Sequence, residues 1–214
     1  FKELKISQPI LNAIKEKGYV NPTPIQEKAI PVVLSKRDVM GCAQTGTGKT
    51  ASYAIPVIQH LQSASNTEAS TGSLQKIKAL ILAPTRELAL QISECIRDYA
   101  KYTKIKHGVI FGGVRQQPQN DMLRRGIDIL VATPGRLLDL MNQGCIQLND
   151  VRYLVLDEAD RRLDMGFIND IKRILLKVPK ERQTLLFSAT MPHSILSLAH
   201  SFLKNPVKVE VIPQ

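Results

Sequence analysis

The chain has 214 residues, 43% of them hydrophobic and 22% charged, which is enough for one large domain with its own core. No apolar run approaches the roughly 20 residues that span a bilayer, and no secretory leader pattern opens the sequence, so a membrane protein is not expected. Lysine and arginine total 29 against 19 acidic residues, and the net charge of +10 suits a polyanionic partner as well as it suits plain solubility.

In chain order, a turn at Gly18-Tyr19 and Pro22-Thr23-Pro24 leads into a predicted helix over Ile25–Leu34. Predicted strands follow at Asp38–Cys42, Ile77–Ala83, Gly108–Phe111, Ile127–Ala132, Arg152–Leu156, Thr184–Phe187 and Val207–Val211. They are rich in Val, Ile and Leu with little alternation, as expected when helices cover both faces of a parallel sheet. A helix over Glu87–Tyr99 carries Leu88, Ile92, Cys95, Ile96 and Tyr99 on one stripe. Ser63 to Ser73 is small and polar, and a flexible loop is expected over residues 63–75. The pattern predicts a single doubly wound α/β domain over 1–214, a mostly parallel sheet of about seven strands with helices on both faces. Cys42, Cys95 and Cys145 have no metal-ligand spacing and read as reduced thiols, and the four scattered histidines are assigned no chemistry.

Ala43 to Thr50 reads AQTGTGKT, directly after a strand and before a helix. It matches the phosphate-binding pattern G-x-x-x-x-G-K-[ST] except at Ala43, where glycine is usual. Gly46 and Gly48 let the backbone turn so that N–H groups across Gln44, Thr45, Gly46, Thr47 and Gly48 face phosphate oxygens. The following helix adds its positive dipole end. Lys49 is expected to reach the β- and γ-phosphates of ATP, and the Thr50 hydroxyl to bind Mg²⁺. Downstream, the strand ending at Leu156 runs into Asp157 and Glu158. Asp157 suits Mg²⁺, usually through coordinated water, and Glu158 suits a general base that orients the attacking water. Lys49, Asp157 and Glu158 are therefore the expected catalytic residues.

Together these segments resemble the DEAD-box ATP-dependent RNA helicases, whose name Asp157-Glu158-Ala159-Asp160 spells. The resemblance covers essentially the whole chain and implies the N-terminal, RecA-like domain of such an enzyme. Residues 1–36 match the family's adenine-reading region, with Gly18-Tyr19, Pro22-Thr23-Pro24-Ile25-Gln26, and Phe1 as its isolated upstream aromatic. There Tyr19, Thr23 and Gln26 are implied to hold adenine, since the Gln26 amide pairs with its N6 and N7 edge and Tyr19 offers a flat face. Pro84-Thr85-Arg86, Gly112-Gly113 and Thr133-Pro134-Gly135-Arg136 match the family's RNA-channel elements. Strand-to-helix turns of this kind bind phosphates through backbone N–H groups and carry little sequence information.

Ser188-Ala189-Thr190 matches the element whose hydroxyls, by resemblance, bond Asp160 and couple hydrolysis to RNA rearrangement; capping of the next helix is the local alternative. The chain departs from the family at Arg161-Arg162-Leu163-Asp164, where Met is usual at the second position. The resemblance implies ATP-driven RNA remodelling, with RNA and a second RecA-like domain as partners, by a monomeric domain. That second domain carries a His-Arg-Ile-Gly-Arg run, which does not occur here. A DNA-directed phosphate-loop ATPase and a non-catalytic RNA-binding adaptor are the competing readings. The chain begins with Phe1 rather than Met and is expected to be a fragment of a longer, cytoplasmic protein, or of a nuclear one if an extension carries that address.

Overall fold

The computed structural model describes residues 1–44, 46–67, 76–161 and 165–211. After a short 3₁₀ turn at Lys2–Leu4, helices α1 (Gln8–Glu16) and α2 (Pro24–Leu34) precede strand β1 (Val39–Cys42). Helix α3 (Lys49–Thr67) follows, then β2 (Ala79–Leu82), α4 (Arg86–Ala100), β3 (His107–Ile110), α5 (Gln117–Arg125) and β4 (Ile129–Ala132). The chain continues through α6 (Pro134–Asn142), β5 (Tyr153–Leu156), α7 (Met165–Leu175), β6 (Gln183–Ser188), α8 (His193–Phe202) and β7 (Val207–Glu210). The strands form one 7-stranded sheet in the order β3-β4-β2-β5-β6-β1-β7. Every pairing is parallel, as the near-continuous apolar runs require. No helix among the described residues is long and apolar enough to cross a membrane.

Successive side chains of a strand point to opposite faces, and each face here has its own core. Ile81, Val131, Val155, Leu185 and Phe187 pack with buried residues of α1 to α4, such as Ile10, Ile30's neighbour Ala29, Ile58 and Ile92. Their neighbours Leu80, Leu130, Leu154, Leu156 and Leu186 pack with residues of α6, α7 and α8, including Leu140, Ile174 and Leu198. Burial of such side chains stabilises by roughly 1.5–3 kcal/mol each.

Helix α3 is longer than the sequence suggests. Its buried stripe through Tyr53, Ile58 and Leu61 carries the helix onward, so 63–67 is helical and not part of a flexible loop. The remainder of the expected loop, 68–75, lies outside the described residues.

The amino end of the sheet is fastened by Asp38, which is buried. Its Oδ1 accepts the Thr184 N–H at 2.8 Å and its Oδ2 the Lys204 N–H at 2.6 Å, tying the starts of β1 and β6 to the approach of β7. Removing the carboxylate leaves two backbone donors without it. Asp38→Ala is therefore expected to cost about 2–4 kcal/mol, read from the urea unfolding midpoint; an unchanged midpoint would contradict this role.

Candidate functional site

A parallel sheet presents all its carboxyl ends along one edge, and β6 lies between β1 and β5 there. Leu156 pairs with Leu186 and Cys42 with Ser188, so the three strands end at nearly one level. The end of β6 bonds to both neighbours: Ala43 N–H donates to the Ser188 carbonyl at 3.1 Å and Ala159 N–H to the Phe187 carbonyl at 3.2 Å. The phosphate-loop pattern leaves β1, the paired acids leave β5, and Ser188-Ala189-Thr190 sits between them.

Gly46 and Gly48 have φ of +89° and +81°, the left-handed region that glycine occupies without strain. At Gly48 the space is closed as well. A Cβ there would lie 2.5 Å from Gln26 Nε2 and 2.9 Å from Thr23 Oγ1, so the α2 segment rests against the loop. Ala43 is buried and Gln44 exposed, and Thr47 Oγ1 donates to the Gln44 carbonyl at 2.6 Å. Thr45 lies outside the described residues.

Lys49, at the start of α3, is buried against the acids. Its Nζ lies 2.8 Å from Asp157 Oδ1 and 3.5 Å from Glu158 Oε1. The contact to Oδ1 is an ion pair outside hydrogen-bonding angles, so this buried oxygen has no hydrogen-bond donor among the described residues. Glu158 has φ +48°, a strained conformation for a non-glycine residue that turns the chain sharply after Asp157. Glu158 Oε2 is paired with Arg161 at 2.9 Å. Arg161 belongs to the unusual basic pair, and its partner Arg162 lies outside the described residues, as do Leu163 and Asp164.

The structure adds a residue that the sequence reading passed over. Tyr53 is completely buried and donates its hydroxyl to Asp157 Oδ2 at 2.6 Å. Its phenol is held well above the ordinary tyrosine range, first by burial and next by the charge of Asp157. The available signal was its helical spacing, one turn beyond Lys49 and Thr50 on α3.

Gln26 caps α2, its Oε1 accepting the Thr23 N–H at 3.0 Å, and its Nε2 donates to the Gly48 carbonyl at 3.2 Å. Tyr19 is 52% exposed, with the Lys17 ammonium 5.8 Å from the centre of its ring.

A second cleft of about 550 Å³ lies on the same edge. It gathers Pro84, Thr85, Arg86, Gly112, Thr133, Pro134, Gly135 and Arg136, with Phe111 and, from α7, Gly166, Phe167 and Asp170. Gly113 is not among the lining residues, although its φ of +82° shapes the same turn. The Arg86 guanidinium lies over the Phe111 ring, 4.8 Å from its centre. Arg136 donates to the Val114 carbonyl and to Gln119 Oε1, both at 3.0 Å, and Gln119 in turn donates to the Phe111 carbonyl at 3.1 Å. Arg136 therefore braces the glycine turn as well as lining the cleft, a task that its place in the sequence did not reveal.

Thr190 bonds Asp160 twice, through its N–H at 2.9 Å and its hydroxyl at 2.7 Å. Ser188 Oγ donates to the Thr190 carbonyl at 2.7 Å and is also within reach of Asp160. Helix α8 is preceded by Pro192 without a side-chain cap, so neither hydroxyl is spent there.

This site and this sheet define a class of protein. The DEAD/DEAH box helicase family model matches residues 23–198, and the chain belongs to that family. It is 43% identical over 212 residues to the ATP-dependent RNA helicase DeaD of Buchnera aphidicola, covering 99% of this chain and 34% of the relative. It is also 43% identical over 213 residues to the DEAD-box ATP-dependent RNA helicase RhpA of Helicobacter pylori, covering 100% of this chain and 41% of that protein. The chain thus spans about a third to two-fifths of the length of these relatives. Among solved structures, a DEAD box protein from Methanococcus jannaschii superposes with a TM-score of 0.87 at 42% identity, over 98% of this chain and 55% of that one. A hypothetical ATP-dependent RNA helicase from Sulfolobus tokodaii gives 0.85 at 40% identity, over 96% and 57%.

Burial pushes the Asp160 carboxyl up, but the hydrogen bonds from Thr190 and Ser188 outweigh it and hold the group below the usual carboxylate range. A carboxyl lowered on folding stabilises above its ordinary pKa and loses that contribution as pH falls through the folded value. Thr190→Ala is expected to lower the melting temperature more near pH 7 than near pH 2; an equal gap at both would contradict this account.

Proposed function

We propose that this chain is the nucleotide-binding half of an ATP-dependent motor that remodels RNA. One observation carries the reading: a buried lysine that opens a helix after a glycine-rich turn meets two carboxylates at the end of β5. That pairing suits a nucleoside triphosphate, with Lys49 sharing the charge of the β- and γ-phosphates and the α3 N–H groups facing them. Both relatives named above are called ATP-dependent RNA helicases, which supports the same substrate classes here.

Two features support a nucleotide with Mg²⁺. Gly46 and Gly48 hold the left-handed turn that a phosphate-facing loop requires, and Asp157 Oδ1 is buried with only the Lys49 ion pair and no hydrogen-bond donor among the described residues. Thr50 and Asp157 would hold the ion, which supplies charge neutralisation for the transferred phosphoryl group. Glu158 then orients the attacking water and accepts its proton. For the base, the Gln26 amide still offers one N–H and one carbonyl lone pair beyond its two bonds to the protein, a match for adenine's N7 and N6-amino group. Tyr19 supplies the adjoining flat face.

RNA would cross the cleft lined by Thr85, Arg86, Gly112, Thr133 and Gly135, held by backbone N–H groups at the starts of α4 and α6. Contacts to phosphates explain how such a channel accepts many sequences. A second RecA-like domain would supply arginines at the γ-phosphate, and its contribution is on the order of 10³–10⁵ in rate in related phosphoryl transfers.

On this reading the chain alone turns ATP over slowly. Joined to a second helicase domain, it gains turnover that RNA stimulates and DNA does not, and Lys49→Ala abolishes it. The check is a phosphate-release assay of both forms with each nucleic acid. Near-normal turnover by Lys49→Ala would sink the proposal, and equal stimulation by DNA would replace RNA with a broader substrate.

A further inference from the structure

We propose that Tyr53 is a positioning residue for the metal end of the site, its hydroxyl fixing Asp157 by Oδ2 so that Oδ1 is the oxygen presented to magnesium. The inference rests on the nucleotide–Mg²⁺ reading above and goes beyond it by assigning a role to a side chain inside the core.

Packing does not account for the hydroxyl. The Tyr53 ring is fully buried and leans on Phe187, with ring centres 5.4 Å apart, in a setting that asks only for an aromatic ring. A phenylalanine would fill the same volume without bringing a polar atom into an apolar core, where an unbonded hydroxyl is costly. Here the hydroxyl is bonded, and strongly: 2.6 Å to a buried carboxylate lies in the range of charge-assisted O–H···O⁻ contacts. Thr50, also assigned to the metal, precedes Tyr53 by three residues on the same helix. One buried phenol thus holds one oxygen of Asp157 while Lys49 pairs with the other.

The consequence is orientational. A carboxylate at a strand end rotates about its terminal bond and offers either oxygen. With Oδ2 engaged by Tyr53, rotation is blocked, and Oδ1 is left beside Lys49 Nζ at 2.8 Å. A ligand that must meet this oxygen then finds it already oriented, as preorganised sites require.

The test is calorimetric titration of the chain with ADP, in Mg²⁺ and again in a chelator, for the wild type and Tyr53→Phe. In chelator the two should bind ADP alike. In Mg²⁺ the wild type should tighten, and the variant should lose about tenfold of that enhancement, the scale of one buried hydrogen bond to a charged group. In an Asp157→Asn background, Tyr53→Phe should change the Mg²⁺ enhancement no further. A merely structural role would weaken both titrations together or leave the enhancement intact, and either result overturns the inference. If the wild type itself shows no Mg²⁺ enhancement, the metal reading fails first and the inference with it. Should Tyr53→Phe not fold, 3-fluorotyrosine placed at position 53 keeps both ring and hydroxyl. Its ¹⁹F resonance should move with Mg²⁺–ADP but not with ADP in chelator, and an equal response to both would overturn the proposal.

Discussion

The parallel register of β1, β6 and β5 is the constraint on which the rest depends. Adjacent strands lie about 4.8 Å apart, so residues leaving β1 and β5 at one level are separated by about 10 Å at the backbone. A lysine opening a helix bridges that gap, and an acid at the strand end meets it. If β5 slipped by one residue against β6, Asp157 would change face and the Lys49 contact would be lost. Leu154, Val155 and Leu156 prevent the slip, because alternate side chains are committed to two different cores. Hydrophobic burial across the whole sheet thereby sets the position of three charged groups.

Placing β6 between the two functional strands has a further effect. Its last carbonyls hold the start of the phosphate loop on one side and Ala159 on the other, while Thr190 reaches back to Asp160. The acidic turn and the Ser188–Thr190 segment are thereby held together at the end of the sheet. Glu158 adds local strain there, its φ of +48° falling at the residue proposed to act on water. Its second oxygen is engaged by exposed Arg161, so this carboxylate is held from both ends, by Lys49 within and Arg161 without. The cleft lined by Arg86 and Gly112 opens on the same sheet edge, since its turns follow β2, β3 and β4.

What the sequence disclosed and what it hid divide along one line. Contiguous features were legible: the parallel α/β class followed from apolar runs, and the glycine turn between β1 and α3 from eight consecutive residues flanked by a strand and a helix. The acids after β5 were legible because the loop had already been found. Features made by distant residues were not. Tyr53 lies 104 positions from Asp157, and nothing in the local pattern tells a core tyrosine from one that holds a carboxylate. The resemblance assigns Arg136 only to the RNA channel, yet it also braces Val114 and Gln119 across 22 and 17 positions. Gln26 shows why two readings of one residue need not compete: it caps α2 and touches Gly48, and an amide has enough donors and lone pairs to do more. The polar stretch from Ser63 onward misled in the other direction, because composition marked it as loop while the buried face of α3 extended the helix to Thr67.

The central claim is that one pocket joins a phosphate cradle to an adenine reader, and its most direct test is parallel calorimetric titration of this chain with Mg²⁺–ADP and Mg²⁺–GDP. The account predicts that ADP binds and GDP does not, since guanine presents an acceptor where the Gln26 carbonyl needs a donor. Equal binding of both would leave the cradle standing and remove Tyr19 and Gln26 from the site. Binding of neither would contradict the account.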